Sequence, residues 1–301
     1  MIASIIGYPE VLVQESPSKS NEQVSDSVVA YYEGRTESIL RRYGPGPRVH
    51  YHTGLVDEPP STDAASDELR RELIAAQERT LEYAAQLWNA ASSLCGDVLD
   101  VGCGLGGGAI FWAEKFGANV TAVTIAPSHI RLVEDFAAQA GVASRVQAVC
   151  CDASAVLGED YFDAAVAIDS TSSFPRGPWF RRLERLLRAE GHVFVFDCFL
   201  GRSEYEEPFN RHWCSQIGTI EEYVAAAREA GFTVKMLKDV SLRAVHFWTL
   251  TLALLRLEAQ DVRLSVPQRR RLEDSLLTHA LVRQGLLDGG LRHLLMTFAK
   301  S

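Results

Sequence analysis

The segment VLDVGCGLGGG at residues 98–108 decides the fold of this chain. Its apolar first half belongs to the run DVLDV, which predicts a buried strand. Its glycine-rich second half belongs to the run GLGGGAIFWAEKF, which predicts a helix. Five glycines lie between them, within residues 102–108. Such a turn lets a ligand approach the backbone closely, because no side chains stand in the way. The segment therefore predicts a ligand-binding turn in an α/β fold.

Strand and helix patterns alternate after this turn. Further strands are predicted at NVTAVTI, RVQAVCC, YFDAAVAI, GHVFVFDCF, FTVKMLKDV and LRHLLMTFA, and helices at PSHIRLVEDFAAQA, WFRRLERLLR and EEYVAAAREA. This alternation predicts a Rossmann-like parallel sheet with right-handed crossovers and helices on both faces.

The remaining segments predict helical additions to that sheet. Residues 1–95 are predicted to form an N-terminal arm and helical cap, with helices over 27–43 and 67–91, and residues 96–301 to form the sheet domain. Residues 245–287 are predicted to form a helical insertion that covers the ligand edge of the sheet and helps to exclude water. The arm at residues 1–25 is apolar at its tip, so we expect it to dock on another subunit of a homo-oligomer.

Composition and charge exclude several classes of function. The formal net charge of −9 opposes a large surface for nucleic acid or anionic membrane. No apolar run reaches 18 residues, and the N-terminus lacks the basic region of a signal peptide. The six cysteines show no C-x-x-C pair and no zinc-ligand spacing, which favours reduced thiols, a cytoplasmic location and no metal site.

Gly102, Gly104 and Gly107 also match the dinucleotide pattern G-x-G-x-x-G, so two cofactors must be compared. An NAD site would favour an acidic residue about 20 residues further on, where this chain has Thr124-Ile125. The acidic residues lie elsewhere: Asp100 precedes the first glycine by two, and Asp152 follows the third strand. This combination favours S-adenosylmethionine (SAM).

The same features resemble the class I SAM-dependent methyltransferases, which have a parallel sheet with an antiparallel last strand. The resemblance implies that the acid before the glycines lies near the methionine end of SAM, and that the acid after the third strand binds the adenine amine. Many members have an acid where this chain has Thr124, so His129 is a further candidate for the ribose contact. The cofactor residues implied are Tyr31, Asp100, Gly102, Cys103, Gly104, Gly106, Thr124, Ile125, His129, Asp152 and Ala153.

The segments YYEGRTESILRRYGPG, VHYHTG and AVTIAP resemble a narrower branch that includes sterol, cyclopropane and isoprenoid C-methyltransferases. Within it the chain is similar to bacterial prenyl-chain methyltransferases of the geranyl-diphosphate and teleocidin-biosynthesis types. The resemblance implies methylation of a C=C bond in a terpenoid chain, with SAM converted to S-adenosylhomocysteine. The resulting carbocation would then lose a proton or cyclise.

A carbocation needs a negative charge or a base nearby, and Asp169 is the leading candidate for either role. It follows a buried strand at the ligand edge, in an Asp-Ser-Thr run that is similar to the Glu-Ser-Thr of the prenyl-diphosphate enzymes. A cofactor-pocket wall or a helix N-cap is an alternative role for it. His50 and His52 are the other candidate bases, because their loop could fold over the sulfonium.

Aromatic rings can stabilise a carbocation, by about 0.5–2 kcal/mol for a ring face within reach. Several aromatic residues follow strands or lie in the inserted parts, although each of them could instead belong to the core. The candidate substrate residues are Tyr32, Phe174, Trp179, Phe199, Tyr205, Trp213 and Phe247. Trp248, in an apolar helical run, is more typical of a core residue.

The sequence leaves the methyl acceptor open. A free prenyl diphosphate would bring Mg²⁺, but no Asp-rich D-D-x-x-D motif is present, which favours a prenyl chain already attached to a larger uncharged scaffold such as an indole. A small-molecule O- or N-methyltransferase comes third. A SAM-binding pseudoenzyme is disfavoured, because the glycine turn and Asp152 are intact.

Overall fold

The structure, a computed structural model, describes residues 19–301, with side chains from residue 26 onward. The apolar tip of the predicted N-terminal arm, and the self-association inferred from it, lie outside the described residues. No helix in the described part of the chain is both long and apolar enough to cross a bilayer.

Within the described residues, four helices precede the sheet. They are α1 (Lys19–Glu33), α2 (Thr36–Tyr43), α3 (Ser66–Leu87) and α4 (Ala90–Ser93). The single helix predicted over 27–43 is wrong, because the chain turns between α1 and α2 at Gly34, a residue that weakens a helix interior. The helix predicted over 67–91 likewise divides between α3 and α4, where Asn89 adopts a left-handed conformation (φ 51°).

One seven-stranded sheet forms the centre of the described chain. Its strands are β1 (Asp97–Val101), β2 (Asn119–Thr124), β3 (Val146–Cys150), β4 (Phe162–Ile168), β5 (Leu187–Leu200), β6 (Phe232–Asp239) and β7 (Leu291–Lys300). They lie in the order β3-β2-β1-β4-β5-β7-β6. Strands β1 to β5 pair in parallel, whereas β7 runs antiparallel to both β5 and β6. The predicted sheet, with its antiparallel last strand, is confirmed.

Helices cover both faces of the sheet. Those that connect or follow the strands are α5 (Gly107–Phe116), α6 (Pro127–Gln139), α7 (Arg176–Leu186), α8 (Glu206–Trp213), α9 (Ile220–Glu229), α10 (Ser241–Glu258) and α11 (Val266–Asp288). Successive strand residues point to opposite faces, so Val98 joins the core layer that contains α3 and α5, and Leu99 joins the layer beneath α7 and α9. Each face of the sheet therefore has its own apolar core.

Helices α10 and α11 lie where the helical insertion is predicted, although they begin earlier, at Ser241. Helix α10 packs against α3 of the N-terminal segment, and one apolar cluster includes residues of both. Helix α10 also carries two adjacent aromatic side chains, Phe247 and Trp248, whereas α11 has no Phe, Tyr or Trp. The division of the chain at residue 95 stays a prediction.

Candidate active site

The turn after β1 is shaped by glycines in left-handed conformations. Gly102 has φ 77° and Gly104 has φ 55°, values that favour glycine over other residues. The amides of Gly102 and Cys103 both donate to the carbonyl of Val123, at 2.9 Å, which fastens the turn to β2. A Cβ on Gly102 would lie 2.5 Å from the Ser170 Cβ, whereas one on Gly104 would meet open space. The turn is therefore packed on one side and open on the other.

The open side of the turn faces a cavity of about 460 Å³ at the carboxyl edge of the sheet, here called the outer cavity. Asp100, Thr124 and Asp152 line it from the ends of three neighbouring strands. Asp152 is oriented by Ser154, whose amide and hydroxyl donate to its Oδ1 at 2.8 and 2.5 Å. The carboxyl ends of parallel strands are the usual location for ligands in such sheets.

Asp100 is buried without a positively charged partner among the described residues. Its side chain is 3% exposed and lies within ion-pair distance of no Lys, Arg or His there. Burial raises the pKa of Asp100 to about 7, although a hydrogen bond from the backbone of Ala109 acts in the opposite direction. A buried carboxyl that lines a cavity and has no cationic partner there is suited to binding a positively charged ligand.

Asp169 lies at the end of β4, where the outer cavity meets a smaller one. Its Oδ2 accepts a hydrogen bond from the backbone amide of Thr53 at 2.6 Å. Its Oδ1 lies 3.0 Å from Nε2 of the buried His293. This distance is short enough for an ion pair, but the two groups are not aligned for a hydrogen bond. Burial by itself would raise the pKa of Asp169, but His293 and the Thr53 amide hold the pKa of this carboxyl below its ordinary value. Asp169 is thus a fixed anion.

Asp197 on β5 forms a second buried carboxyl next to Asp169. Its Oδ2 accepts hydrogen bonds from the amide and the hydroxyl of Thr171, at 2.7 and 2.6 Å, and its Oδ1 accepts from the Cys198 amide at 2.7 Å. Burial, and after it the Asp169 carboxylate, raises the pKa of Asp197 to about 6. Two carboxyls and His293 therefore share one buried site.

The loop after α2 brings His50 and His52 to the cavities. The amide of Gln77 holds this loop by donating to the carbonyl of His52 at 2.8 Å. His50 Nε2 lies 2.9 Å from Glu78 Oε1, so its position is fixed by α3. His52 Nδ1 donates to the carbonyl of Thr53 at 3.0 Å, which leaves Nε2 buried without a partner among the described residues.

Burial, followed by the nearby His50, lowers the pKa of His52 to about 4. The imidazole is therefore neutral over the physiological range. Because Nδ1 carries the proton in the bond to Thr53, Nε2 presents a free lone pair. His52 lines both cavities, so this nitrogen is placed to accept a proton from a ligand at their junction.

The smaller cavity, here called the inner cavity, measures about 90 Å³ and extends from Asp169 towards α10 and α11. Tyr32, Tyr51, His52 and Asp169 line both cavities, so they mark the junction between the two. Aromatic side chains form much of the remaining inner wall. They are Tyr43, Phe209, Trp213, Phe247 and Trp248.

The glycine turn belongs to a recognised domain. A family model described as a methyltransferase domain matches residues 98–191, which run from β1 into β5. This part of the chain is therefore similar to a methyltransferase domain.

Two curated proteins are among those that this chain resembles in sequence. It is 32% identical over 117 residues to sterol 4-C-methyltransferase strm-1 of Caenorhabditis elegans, which covers 38% of this chain and 34% of that protein. It is 28% identical over 227 residues to methyltransferase GfsG of Streptomyces halstedii, which covers 72% of this chain and 76% of that protein. The chain thus spans about a third of the sterol enzyme's length and three quarters of the length of GfsG.

The chain also resembles a solved structure over most of its length. Geranyl diphosphate C-methyltransferase from Streptomyces coelicolor A3(2), solved with Mg²⁺, geranyl-S-thiolodiphosphate and S-adenosylhomocysteine, matches with a TM-score of 0.78 at 16% identity. The match covers 95% of this chain and all of that one. The fold of the whole described chain, including the helices outside residues 98–191, is therefore that of a class I methyltransferase.

These findings confirm the predictions of a methyltransferase enzyme and of SAM as its cofactor. The residues of the outer cavity fit that cofactor. The open backbone at Gly104 leaves room for a ligand to approach closely. The buried carboxyl of Asp100 suits a positive charge such as the ammonium group of SAM. Asp152, which the family resemblance predicts to bind the adenine amine, lines the same cavity.

Most of the predicted cofactor residues line the outer cavity. They are Asp100, Gly102, Cys103, Gly104, Thr124, Ile125, His129, Asp152 and Ala153. Gly106 does not, because it caps α5 and backs onto Val133 of α6. Tyr31 does not either: its ring lies beside Arg35 and His212, whereas the next residue, Tyr32, faces the cavities. His129 lines the cavity but also contacts Thr36 Oγ1 through Nε2, at 2.9 Å.

The predicted substrate residues divide between cavity and core. Trp213 and Phe247 line the inner cavity, Phe174 lines the outer cavity, and Tyr32 lines both. Trp179, Phe199 and Tyr205 line neither cavity and are buried in the core. Phe199 packs on Tyr223 of α9, and the Tyr205 hydroxyl donates to Asp288 at 2.7 Å.

Sequence reasoning missed His293 and Thr53 as partners of Asp169. His293 lies within the apolar run of β7, opposite Cys198 of β5 in the strand register. A histidine in an otherwise apolar strand was a signal for a buried polar contact, but its partner became evident only from the pairing of β7. The contact from Thr53 is made by a backbone amide, which no residue type reveals.

Proposed function

We propose that the protein is a SAM-dependent C-methyltransferase that adds a methyl group to a C=C bond of a prenyl chain attached to a larger scaffold. The observation that carries this proposal is the position of the Asp169 anion, at the junction of the cofactor cavity with an aromatic-walled inner cavity. A negative charge and aromatic faces together suit a ligand that becomes positively charged away from solvent.

The residues at the junction have different roles in the proposed reaction. SAM, when bound, supplies an electrophilic methyl group, and its transfer to a C=C bond leaves a tertiary carbocation on the substrate. Asp169, held by Thr53 and His293, stabilises that charge electrostatically. The rings of Tyr32 and Tyr51 border the same space and add cation–π stabilisation of about 0.5–2 kcal/mol each at favourable geometry.

The reaction ends by loss of a proton, for which His52 is the better acceptor. The pKa of Asp169 is held low and both of its oxygens face other groups, so it is a weak base. His52 is neutral and its Nε2 lacks a partner among the described residues. The C–H bond next to the cation breaks, its electron pair forms a new C=C bond, and Nε2 takes the proton.

A free prenyl diphosphate is the second candidate substrate. Arg35 lines the inner cavity, and no carboxylate of the described chain lies within ion-pair distance of its guanidinium. That charge suits an anionic head group. Against it, residues 26–301 contain no cluster of three His, Cys, Asp or Glu side chains that could hold a metal ion.

Product analysis with matched substrates tests the proposal. The purified protein is incubated with SAM and, in parallel, with a geranylated indole, geranyl diphosphate, and a phenol and an amine without a prenyl chain. We expect mass spectrometry to find a product one methylene unit heavier from the prenylated indole, and far less from Asp169→Asn. Methylation of only the phenol or the amine would contradict the proposal.

A further inference from the structure

Part of the inner cavity has a wall of polar side chains, here called the polar wall. Its residues are Arg35, Ser38, Arg42, Ser275 and His279, and none of them lines the outer cavity. Asp169, by contrast, lines both cavities, at the junction where methyl transfer would take place. A substrate in the inner cavity therefore meets an anion at the junction and the polar wall beyond it.

Arg35 gives the polar wall a positive charge that no carboxylate of the described residues neutralises. Its Cζ atom lies 4.3 Å from the centroid of the Tyr31 ring, and no Asp or Glu there comes within ion-pair distance of the guanidinium. The charge of Arg42 is already matched, because Glu258 Oε2 lies 2.6 Å from its Nη2. The polar wall thus has one unmatched positive charge.

His279 adds a hydrogen-bonding group to this wall. The residue is 8% exposed, and its Nδ1 is buried without a hydrogen-bond partner among the described residues. Burial, followed by His212, Arg42 and Arg35, lowers the pKa of His279 well below its ordinary value, so the ring is neutral. A neutral imidazole carries one N–H, and with the proton on Nδ1 it can donate to an acceptor on a ligand.

We infer that the polar wall binds a carboxylate on the scaffold that carries the prenyl chain, with Arg35 pairing with its charge and His279 donating a hydrogen bond to it. The inference rests on the proposed C-methylation, and it replaces the uncharged scaffold that the sequence favours. A carboxylate oxygen would give the His279 Nδ1 the partner that it lacks. The prenyl chain would then extend from the polar wall to Asp169.

The charge of the polar wall suits a carboxylate better than a diphosphate. One unmatched guanidinium balances a single negative charge, and the neutral His279 adds no further charge. A diphosphate carries more than one negative charge and would bring Mg²⁺. Residues 26–301 contain no cluster of three His, Cys, Asp or Glu side chains that could hold that ion.

Opposite charges at the junction and at the polar wall would orient such a substrate. The Asp169 carboxylate repels a substrate carboxylate and attracts the positive charge that forms on the alkene, whereas Arg35 attracts the substrate carboxylate. The alkene is therefore held at the junction. The same arrangement keeps the substrate carboxylate away from the carbocation, which it would otherwise trap by forming a C–O bond.

Two probes that differ in charge isolate the carboxylate. They are indole-3-acetic acid and indole-3-acetamide, each with a geranyl chain on the same ring carbon. The acid is an anion at neutral pH and the amide is neutral, but the two have nearly the same shape. Each is offered with SAM to the purified protein, and geranyl diphosphate with Mg²⁺ is offered in parallel.

Four variants assign the preference to residues. Arg35→Met removes the charge but keeps a flexible stem over the Tyr31 ring, and Arg35→Lys keeps the charge. His279→Phe keeps a flat ring beside Trp213, on which His279 stacks with an interplanar angle of 16°, but removes the N–H donor. Arg41→Met is the matched control, because Arg41 is exposed on α2 and lines neither cavity. Circular dichroism and SAM calorimetry check that each variant is folded.

The readouts are kcat/KM for methylation and the Kd of each probe for the protein loaded with S-adenosylhomocysteine. We expect the wild type and Arg41→Met to prefer the acid to the amide by about 10- to 10²-fold in both quantities, a usual range for a charge-assisted contact. This preference should disappear in Arg35→Met and return in part in Arg35→Lys. His279→Phe should show an intermediate preference.

Three results overturn the inference while leaving C-methylation intact. One is a wild type that binds and methylates the acid and the amide equally well, and another is a folded Arg35→Met variant with the wild-type preference for the acid. The third is a strong preference for geranyl diphosphate over both indoles, which would favour the second candidate substrate. If no prenyl probe is methylated on carbon, the proposed function is contradicted, and the inference with it.

Discussion

The Oδ2 atom of Asp169 accepts a 2.6 Å hydrogen bond from the backbone amide of Thr53, which ties the end of β4 to the loop that carries His50 and His52. The loop therefore cannot move away from the cavities without leaving a buried carboxylate partly unsatisfied. This one contact places the candidate charge stabiliser, Asp169, beside the candidate proton acceptor, His52. Both face the junction of the outer and inner cavities.

Asp169→Asn tests the charge. Asparagine keeps the shape and can still accept from the Thr53 amide, but it removes the anion from the junction. We expect the turnover rate to fall by about 10²-fold or more while the Kd for SAM stays close to that of the wild type. Steady-state kinetics and calorimetry measure the two quantities. An unchanged rate would remove Asp169 from the chemistry, and loss of SAM binding would assign it to the cofactor pocket.

His52→Phe tests the proton acceptor through pH as well as rate. The pKa of His52 is lowered to about 4, so the imidazole stays neutral until the pH falls to that value. We expect the single-turnover rate of the wild type to be flat from pH 8 to about pH 5 and to fall below it. His52→Phe should lower the rate at every pH. A fall in rate near the ordinary histidine pKa of about 6.5 that persists in Asp197→Asn, which lacks the neighbouring carboxyl of pKa about 6, would contradict the assignment.

The lowered pKa of His52 also affects the free energy of unfolding. Unfolded His52 binds a proton below about pH 6.5, whereas the folded protein leaves it neutral down to about pH 4. The free energy of unfolding should therefore decrease as the pH falls from 6.5 to 4, and this part of the decrease should be absent in His52→Phe. Urea unfolding at several pH values measures it, and equal slopes for the two proteins would argue against a buried neutral His52.

The raised pKa of Asp100 leads us to expect that the protein releases a proton when the cofactor binds. Its pKa is raised to about 7, so the folded protein holds this proton at pH 6. A cationic group of SAM beside the carboxyl would lower that pKa, and we expect about one proton to be released at pH 6. Calorimetry in two buffers of different ionisation enthalpy measures the number. Asp100→Asn is the control and should release none. The same result for wild type and variant would exclude this pairing.

Chelation tests the nature of the substrate head group. Methyl transfer from SAM to an alkene needs no divalent ion, so activity on a prenylated scaffold should survive EDTA. A free diphosphate substrate would bring Mg²⁺ to the site. Turnover that is lost on chelation and restored by Mg²⁺ would favour the free prenyl diphosphate, with Arg35 near its head group.

The sheet was predictable because its signals are local. The glycine turn and the apolar strands can each be recognised from residues that are adjacent in the sequence. Parallel strands end at the same edge of the sheet, so Asp100, Asp152 and Asp169 come together there. Side-chain direction was less predictable. Phe199 belongs to the last residues of β5, but its ring points to the face covered by α9, since successive strand residues alternate between faces.

Contacts between distant segments were not predictable at all. The Thr53 amide and His293 reach Asp169 from segments far apart in the chain, and the pairing of β7 with β5 decides the second contact. Side-chain direction at Tyr31 and Tyr32 was not predictable either. The two residues are adjacent on α1, and the resemblance that assigns Tyr31 to the cofactor does not fix which ring faces the cavities, where Tyr32 lies.

The most direct test of the central claim is the bond that the transferred methyl group forms. The protein is incubated with SAM labelled with ¹³C in its methyl group and with a prenylated indole enriched in ¹³C along the prenyl chain, and the product is examined by NMR. We predict one-bond carbon–carbon coupling between the new methyl carbon and a former alkene carbon. A labelled methyl group bonded to oxygen or nitrogen, without that coupling, would contradict the account.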